Sequence, residues 1–220
     1  MSHRPFKQRL YVEFARVGNA LASDRRLELL DLLAQGPRHV EALAKEADMS
    51  VANASQHLQV LRQARLVETE RQGTKVLYRL ASARVLNLWL ALRSVAETQL
   101  AEVGQVAGEF AVEGANGLDV PRDELERLIK KDGAVLIDVR PAIEYASGHL
   151  PGAVSVPVDE LPERLKELPR DRRIIAYCRG AYCFFADEAV ALLREHGFDA
   201  HRLEGGWPEW VAEGRRVAEA

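Results

Sequence analysis

The sequence predicts two domains, a mainly α domain followed by an α/β domain built on a parallel sheet. Three observations predict this. Residues 1–103 read almost wholly as helical apolar periodicities, interrupted by one β-hairpin. From about Val120 helix and strand patterns alternate, the order of a parallel sheet with helices on both faces. Charge divides in the same way. Residues 1–110 carry 15 Lys/Arg against 12 Asp/Glu and residues 111–220 carry 15 against 21, within a formal net charge of −3. The mildly basic first half suits a polyanion and the acidic second half does not.

The elements follow in order. Leu10, Phe14 and Val17 mark a short apolar stripe. Asp24 is placed to cap a helix with the stripe Leu27, Leu30 and Leu33, ending at Gly36-Pro37. Val40, Leu43 and Ala47 mark a short third helix, and Ser50 opens a fourth with Leu58 and Leu61 on its apolar side. Two β-prone runs, Leu66 to Glu70 and Lys75 to Leu80, join through Arg71-Gln72-Gly73-Thr74 as a hairpin. A long helix from about Ser82 to Val103 carries Val85, Leu88, Trp89, Leu92, Val95 and Leu100. Gly104, Gly108, Gly114 and Gly117 break up the next stretch, so the domains are placed at 1–105 and 119–220 with a linker at 106–118. Beyond it, Pro121 starts a helix ending near Lys131, Val135 to Val139 and Val154 to Val156 are strands, and residues Asp159 to Leu168 form a helix. A strand ending at Cys178, a helix from about Phe184 to His196 and a short strand from Ala200 to Leu203 complete the pattern.

Several classes are excluded by composition. No apolar run approaches the roughly 20 residues that cross a bilayer. The opening Met1 to Lys7 lacks the apolar core of a signal peptide. Cytoplasmic residence and no membrane partner are therefore expected. The two cysteines, Cys178 and Cys183, are a poor framework for a secreted protein, so reactive use is expected.

A helix, a short turn, a second helix and a hairpin make a winged helix-turn-helix. From Arg38 to Ala64 the chain carries Leu43-Ala44, the Ser50 cap, Ser55-Gln56-His57-Leu58 and Val60-Leu61-Arg62, followed by Gly73 and Tyr78 in the wing. Over residues 10–103 this resembles the arsenic-repressor (ArsR) family of bacterial regulators. The resemblance implies a homodimer, paired through its first and last helices, on double-stranded operator DNA. The apolar face of residues 82–103, Trp89 included, fits such pairing. A recognition helix enters the major groove with its N-terminal residues nearest the bases. Here those are Ser50, Val51, Ala52, Asn53, Ser55 and Gln56. Asn53 and Gln56 can make bidentate contacts to adenine edges, while Arg62, Arg71, Thr74 and Lys75 are placed to bind phosphates or reach the minor groove. His57 reads as structural. Many family members sense metals through a Cys-x-Cys pair in the third helix. The matching positions here are His39 and Glu41, and the long helix contains no histidine. No regulatory metal and no cofactor are expected.

Ala176 to Cys183 is the most informative stretch. A β-prone run from Ile174 to Tyr177 delivers Cys178 to a tight loop facing a helix start. Backbone N–H groups and the helix dipole favour an anion there, so the thiol is expected to be unusually acidic. Leu136-Ile-Asp-Val-Arg140, Glu144-Tyr145, Gly148 to Ala153, Leu203 to Trp207 and Trp210 complete a pattern that resembles the rhodanese family of sulfurtransferases over residues 118–215. The resemblance implies that Cys178 takes a sulfane sulfur from a donor and passes it to an acceptor thiol. Loop residues Arg179, Gly180, Ala181, Tyr182 and Cys183 would cradle it, with Arg179 adding positive charge and Gly180 allowing the tight curl. Asp138 and Arg140 are implied to brace the loop, and the segment around His149 to be a structural turn. The family loop reads Cys-Arg-Ser-Gly-x-Arg-Ser, whereas Ala181, Tyr182 and Cys183 stand here. Loss of the second arginine weakens the case for thiosulfate as donor. Cys183 could attack a Cys178 persulfide, giving an internal disulfide and releasing sulfide; the plainer reading makes it a small apolar helix-start residue.

The favoured reading is a repressor whose Cys178/Cys183 persulfide or disulfide is the signal, with sulfurtransferase activity retained. The alternatives are a sulfurtransferase with an independently acting DNA-binding domain, a thiol sensor of oxidants or of arsenic or tellurium species, and an idle docking module, against which Cys178 in a well-formed loop argues.

Overall fold

The structure is a computed structural model that describes residues 3–109 and 119–219. It divides into two compact units, Met1–Ala91 and Leu92–Ala220. Most of the predicted linker, residues 110–118, lies outside the described residues.

The first unit contains α1 (Arg4–Leu21), α2 (Asp24–Ala34), β1 (Arg38–His39), α3 (Val40–Glu46), α4 (Val51–Gln63), β2 (Val67–Gln72) and β3 (Lys75–Leu80). It also holds the start of α5 (Ala83–Gln99), which ends in the second unit. Asp24 is not a cap: Ser23 occupies the cap position with no side-chain hydrogen bond, and Asp24 is the first helical residue. Ser50 does cap α4, its Oγ accepting the Asn53 N–H at 3.2 Å. Ala54, Leu58 and Leu61 then fall on one face of α4 and are buried with Leu29, Leu30, Leu33, Leu43, Tyr78 and Val85. The hairpin is tighter than expected, with Gln72 facing Lys75 across Gly73-Thr74. The two-residue β1, not foreseen, pairs with β3 and completes an antiparallel sheet in the order β1-β3-β2. The predicted long helix is two helices, α5 and α6 (Ala101–Glu109), separated at Leu100. Thus residues 106–109, assigned to the linker, are helical. Trp89 is half-buried, and its indole N–H donates to Asp31 Oδ1 of α2 at 3.0 Å.

The second unit continues with β4 (Asp119–Val120), α7 (Arg122–Asp132), β5 (Val135–Asp138), α8 (Ala142–Ser147), β6 (Val154–Ser155) and α9 (Leu161–Arg164) with a 3-10 turn after it. β7 (Ile174–Cys178), α10 (Phe184–Glu195), β8 (Ala200–Gly206) and α11 (Trp207–Ala212) follow. The five strands pair parallel in the order β4-β8-β7-β5-β6. All five residues of central β7 are buried, as its unbroken apolar run requires. Strand alternation divides them. Ile174, Ala176 and Cys178 pack in the cluster of α10, with Ala186, Ala189, Val190 and Leu193. Ile175 and Tyr177 pack on the other face with Leu125, Leu128, Trp207 and Trp210. The thiol is therefore aimed at α10, and its neighbour Tyr177 away from it. No described helix is long and apolar enough to cross a membrane.

Candidate functional site

The predicted residues fall into two groups, one in each unit. On α4, Val51, Ala52, Asn53 and Gln56 are exposed and Ser55 is half-buried. This follows from the helix period, which commits Ala54, Leu58 and Leu61 to the core. Arg62 near the helix end and Arg71, Thr74 and Lys75 at the wing tip are exposed, with Arg71 Nε donating to the Gly73 carbonyl at 3.4 Å. His39 sits at the start of α3 and pairs through its backbone with Leu77. Among the described residues no group of three or more His, Cys, Asp or Glu is placed to hold a metal ion.

The second group is the cysteine loop at the C-terminal end of β7, the end at which parallel sheets bind ligands. Cys178 is 1 % exposed and is joined to Cys183 in a disulfide, with Cα atoms 6.2 Å apart. That separation lies inside the usual range for a bridged pair. Cys183 occupies the cap position of α10, so the second sulfur sits at the helix start. Between them the chain turns on itself. The Cys183 N–H donates to the Gly180 carbonyl at 3.2 Å, and Gly180 adopts φ +140°, which side chains of L-residues rarely allow. Thiol acidity is a property of the reduced loop.

Arg179 does not supply free positive charge. Its Nε donates to Glu144 Oε1 at 2.9 Å and Oε2 at 3.2 Å, and a further N–H reaches Oε1 at 2.5 Å. Its guanidinium also lies over the Phe185 ring. Glu144 is 1 % exposed, so its charge is matched by Arg179 inside the fold. Glu144 was visible in the sequence only as part of the family pattern.

Asp138 and Arg140 are both fully buried and clasp each other, with Arg140 Nε 2.9 Å and a terminal nitrogen 2.6 Å from the carboxylate. The same nitrogen donates to the Gly148 carbonyl at 2.9 Å, and the guanidinium lies between the Tyr177 and Trp207 rings. The Tyr177 hydroxyl donates to Asp138 Oδ2 and accepts the Leu150 N–H at 3.1 Å. Burial, then the charge of Asp138, hold the Tyr177 phenol far above its ordinary pKa, so it remains a donor. The pair thus braces β7 and the 148–150 turn; its hydrogen bonds reach the residue before Cys178 and not the loop itself. The His149 ring is stacked on Tyr145 at 3.8 Å, with Nδ1 3.1 Å from the Tyr145 carbonyl oxygen.

The loop is shaped by residues less obvious in the sequence. Gly206 lies so close that a Cβ there would stand 2.3 Å from the Cys178 carbonyl oxygen and 2.4 Å from Gly180 N. Tyr182 and Phe184, on either side of Cys183, line an almost wholly apolar cleft of about 430 Å³ with Val103, Val106 and Ala107 of α6. The loop therefore sets two cysteine sulfurs beside apolar walls, with its one arginine neutralised.

Comparison with known proteins agrees with this division. Residues 121–213 match the model of the rhodanese-like domain, and residues 23–69 that of the bacterial regulatory protein, arsR family. The chain is 45 % identical over 213 residues to an HTH-type transcriptional regulator of Mycobacterium tuberculosis, covering 97 % of this chain and 93 % of that protein. A sulfurtransferase of Allochromatium vinosum is 34 % identical over 91 residues, covering 40 % of this chain and 82 % of that protein. Among solved structures, a homodimeric winged helix-turn-helix DNA-binding domain from Mycobacterium bovis is 46 % identical with a TM-score of 0.43, covering 46 % of this chain and 91 % of that one. The chain belongs to the arsR family of bacterial helix-turn-helix transcriptional regulators, in a form that carries a C-terminal rhodanese-like domain.

Proposed function

We propose that this regulator is a repressor whose hold on operator DNA is set by the sulfur state of Cys178 and Cys183. The observation that carries the reading is the cysteine pair itself: both thiols of the chain lie within bridging distance in one loop of a DNA-binding regulator. The reduced Cys178 thiolate attacks the outer sulfur of a persulfide R–S–SH. The donor S–S bond breaks, R–S⁻ leaves with the electron pair, and Cys178 becomes a persulfide. The Cys183 thiol gives up its proton and attacks Cys178 Sγ, expelling the outer sulfur as HS⁻. Two thiols are oxidised to a disulfide and one sulfane sulfur is reduced to sulfide. An acceptor thiol that takes the outer sulfur first completes a sulfurtransferase turnover instead. The Arg179–Glu144 pair leaves the loop without free positive charge, which favours an uncharged donor over thiosulfate.

DNA is read by the start of α4, with Asn53 and Gln56 on base edges, Ser50, Val51, Ala52 and Ser55 beside them, and Arg62, Arg71, Thr74 and Lys75 on the backbone. The active form is a homodimer acting in the cytoplasm. Exposed apolar residues on α1 (Phe6, Tyr11, Val12, Phe14) and α5 (Val95) support pairing through the first and last helices of the winged unit.

Intact mass of the reduced protein after an organic persulfide, run beside a mobility shift on its own promoter, tests the reading. A gain of one sulfur or loss of two hydrogens, with changed DNA affinity, is expected. Cys178→Ser should bind DNA and not respond. Sulfur uptake with unchanged DNA affinity would mean that enzyme and DNA reader act independently.

A further inference from the structure

The cysteine loop rests in part on α5, outside the span matched to the rhodanese-like domain. Arg93, near the end of α5, is ion-paired with Glu209 of α11, and the two side chains are only 16 % and 13 % exposed. Arg93 Nε also lies 3.2 Å from Glu97 Oε1. Gly180 packs on this pair: a Cβ at Gly180 would stand 3.2 Å from Glu209 Oε1 and 3.3 Å from an Arg93 terminal nitrogen. Two residues further along the loop stands Tyr182, whose phenol is held above its ordinary pKa by burial and then by the charge of Glu97.

Trp89, Arg93 and Glu97 are spaced by four, so they form one stripe along the unbroken helix α5. Trp89 is tied to Asp31 in the first unit, Arg93 to Glu209, and Glu97 to Arg93. We propose that Arg93 and Glu97 are positioning residues that read the state of the cysteine pair and pass it along α5 to the helix-turn-helix unit. The inference rests on the sulfur-responsive reading above. Forming the disulfide holds the Cα atoms of Cys178 and Cys183 within about 4.4–6.8 Å. Opening it frees the four residues between, among them Gly180, which packs on the Arg93–Glu209 pair. A loop that moves either leaves the largely buried Arg93–Glu209 pair uncovered or carries α5 with it. Interlocked charged groups of this kind have discrete arrangements rather than a continuum, as a switch needs.

The measurement is the reduction potential of the cysteine pair in the full-length protein, with and without its promoter DNA, in thiol redox buffers with alkylation and mass readout. Coupling is reciprocal. If oxidation of each cysteine pair changes DNA affinity tenfold, saturating DNA shifts the midpoint by about 30 mV. Glu97→Ala should still form the disulfide and still bind DNA, but with the shift reduced below that of a threefold affinity difference. Arg93→Ala should do the same and Arg93→Lys should restore part of the shift. Should Arg93→Ala fail to fold, the partly exposed Glu97 decides the matter alone. A full wild-type shift in Glu97→Ala would overturn the relay while leaving the sulfur-responsive reading intact. No shift in the wild type would overturn both.

Discussion

Gly206→Ala places a methyl group where the backbone of the cysteine loop already lies. The new Cβ would stand 2.3 Å from the Cys178 carbonyl oxygen, 2.4 Å from Gly180 N and 2.8 Å from Gly180 Cα. Carbon atoms in good contact are about 3.5–4.0 Å apart, so each of these contacts is well inside that limit. The φ of Gly206 is −172°, an extended value open to any residue. The perturbation is therefore one of contact and not of backbone conformation. Relief requires β8 to draw away from the loop at the point where Gly206 pairs with Cys178. Overpacking by a methyl group costs about 1–3 kcal/mol where side chains yield. Backbone atoms yield less, so a loss near about 3 kcal/mol is expected. Displacing Cys178 also draws the pair off its bridging geometry, and a less well-placed disulfide is more easily reduced. Urea unfolding followed by tryptophan fluorescence reads the first effect, and a dithiothreitol titration with alkylation reads the second. Gly104→Ala in α6 serves as control: its Cβ meets nothing within 4 Å, and alanine should stabilise that helix by up to about 1 kcal/mol. A Gly206→Ala protein with wild-type unfolding midpoint and wild-type potential would refute the close approach and the reasoning built on it.

Asp138→Asn should lower the stability of the second unit by about 3–5 kcal/mol in chemical denaturation, because the buried Arg140 charge loses its partner; a loss under about 1 kcal/mol contradicts the clasp. Asn53→Ala and Gln56→Ala should each cost about 1–3 kcal/mol on the cognate operator and relax its sequence preference, whereas Lys75→Ala should weaken all sequences alike and flatten the salt dependence by about one unit, as fluorescence anisotropy would show. Burial first, then the charge of Glu97, hold the Tyr182 phenol above its ordinary value. A raised phenol costs nothing below its unfolded pKa of about 10 and destabilises the fold as pH rises past it toward the folded value. Stability measured across that alkaline range should therefore fall less in Glu97→Gln than in the wild type, and an equal fall would exclude Glu97 as a cause of the raised phenol.

The helix-turn-helix was legible because its signals are local. The Ser50 cap bonds within three residues, and Ala54, Leu58 and Leu61 repeat at the helix period, so the exposed set from Val51 to Gln56 follows as their complement. The parallel sheet was legible for a similar reason, since β7 is a short apolar run between turn signals. Boundaries were less legible. The helix expected over 82–103 ends at Gln99 and resumes at Ala101, and β8 runs on to Gly206. Two-residue β1 and β4 have no periodicity to read and exist only through pairing with β3 and β8.

For the site, the amino-acid sequence by itself determined which atoms are available for thiol chemistry, because only Cys178 and Cys183 have thiols and the strand-loop-helix pattern places both in one loop. It also determined the fold of each half, because apolar period and turn residues act over a few neighbours. Tertiary structure alone decided the electrostatics and the partners. Arg179 reads as a free cation until Glu144, 35 residues away, neutralises it. Asp138 and Arg140 read as loop supports until they are seen to hold Tyr177 and Gly148. Arg93 meets Glu209 across 116 residues. Local pattern is written in sequence spacing; a charge's partner and a glycine's crowding depend on which distant backbone arrives beside it, and only folding brings that about.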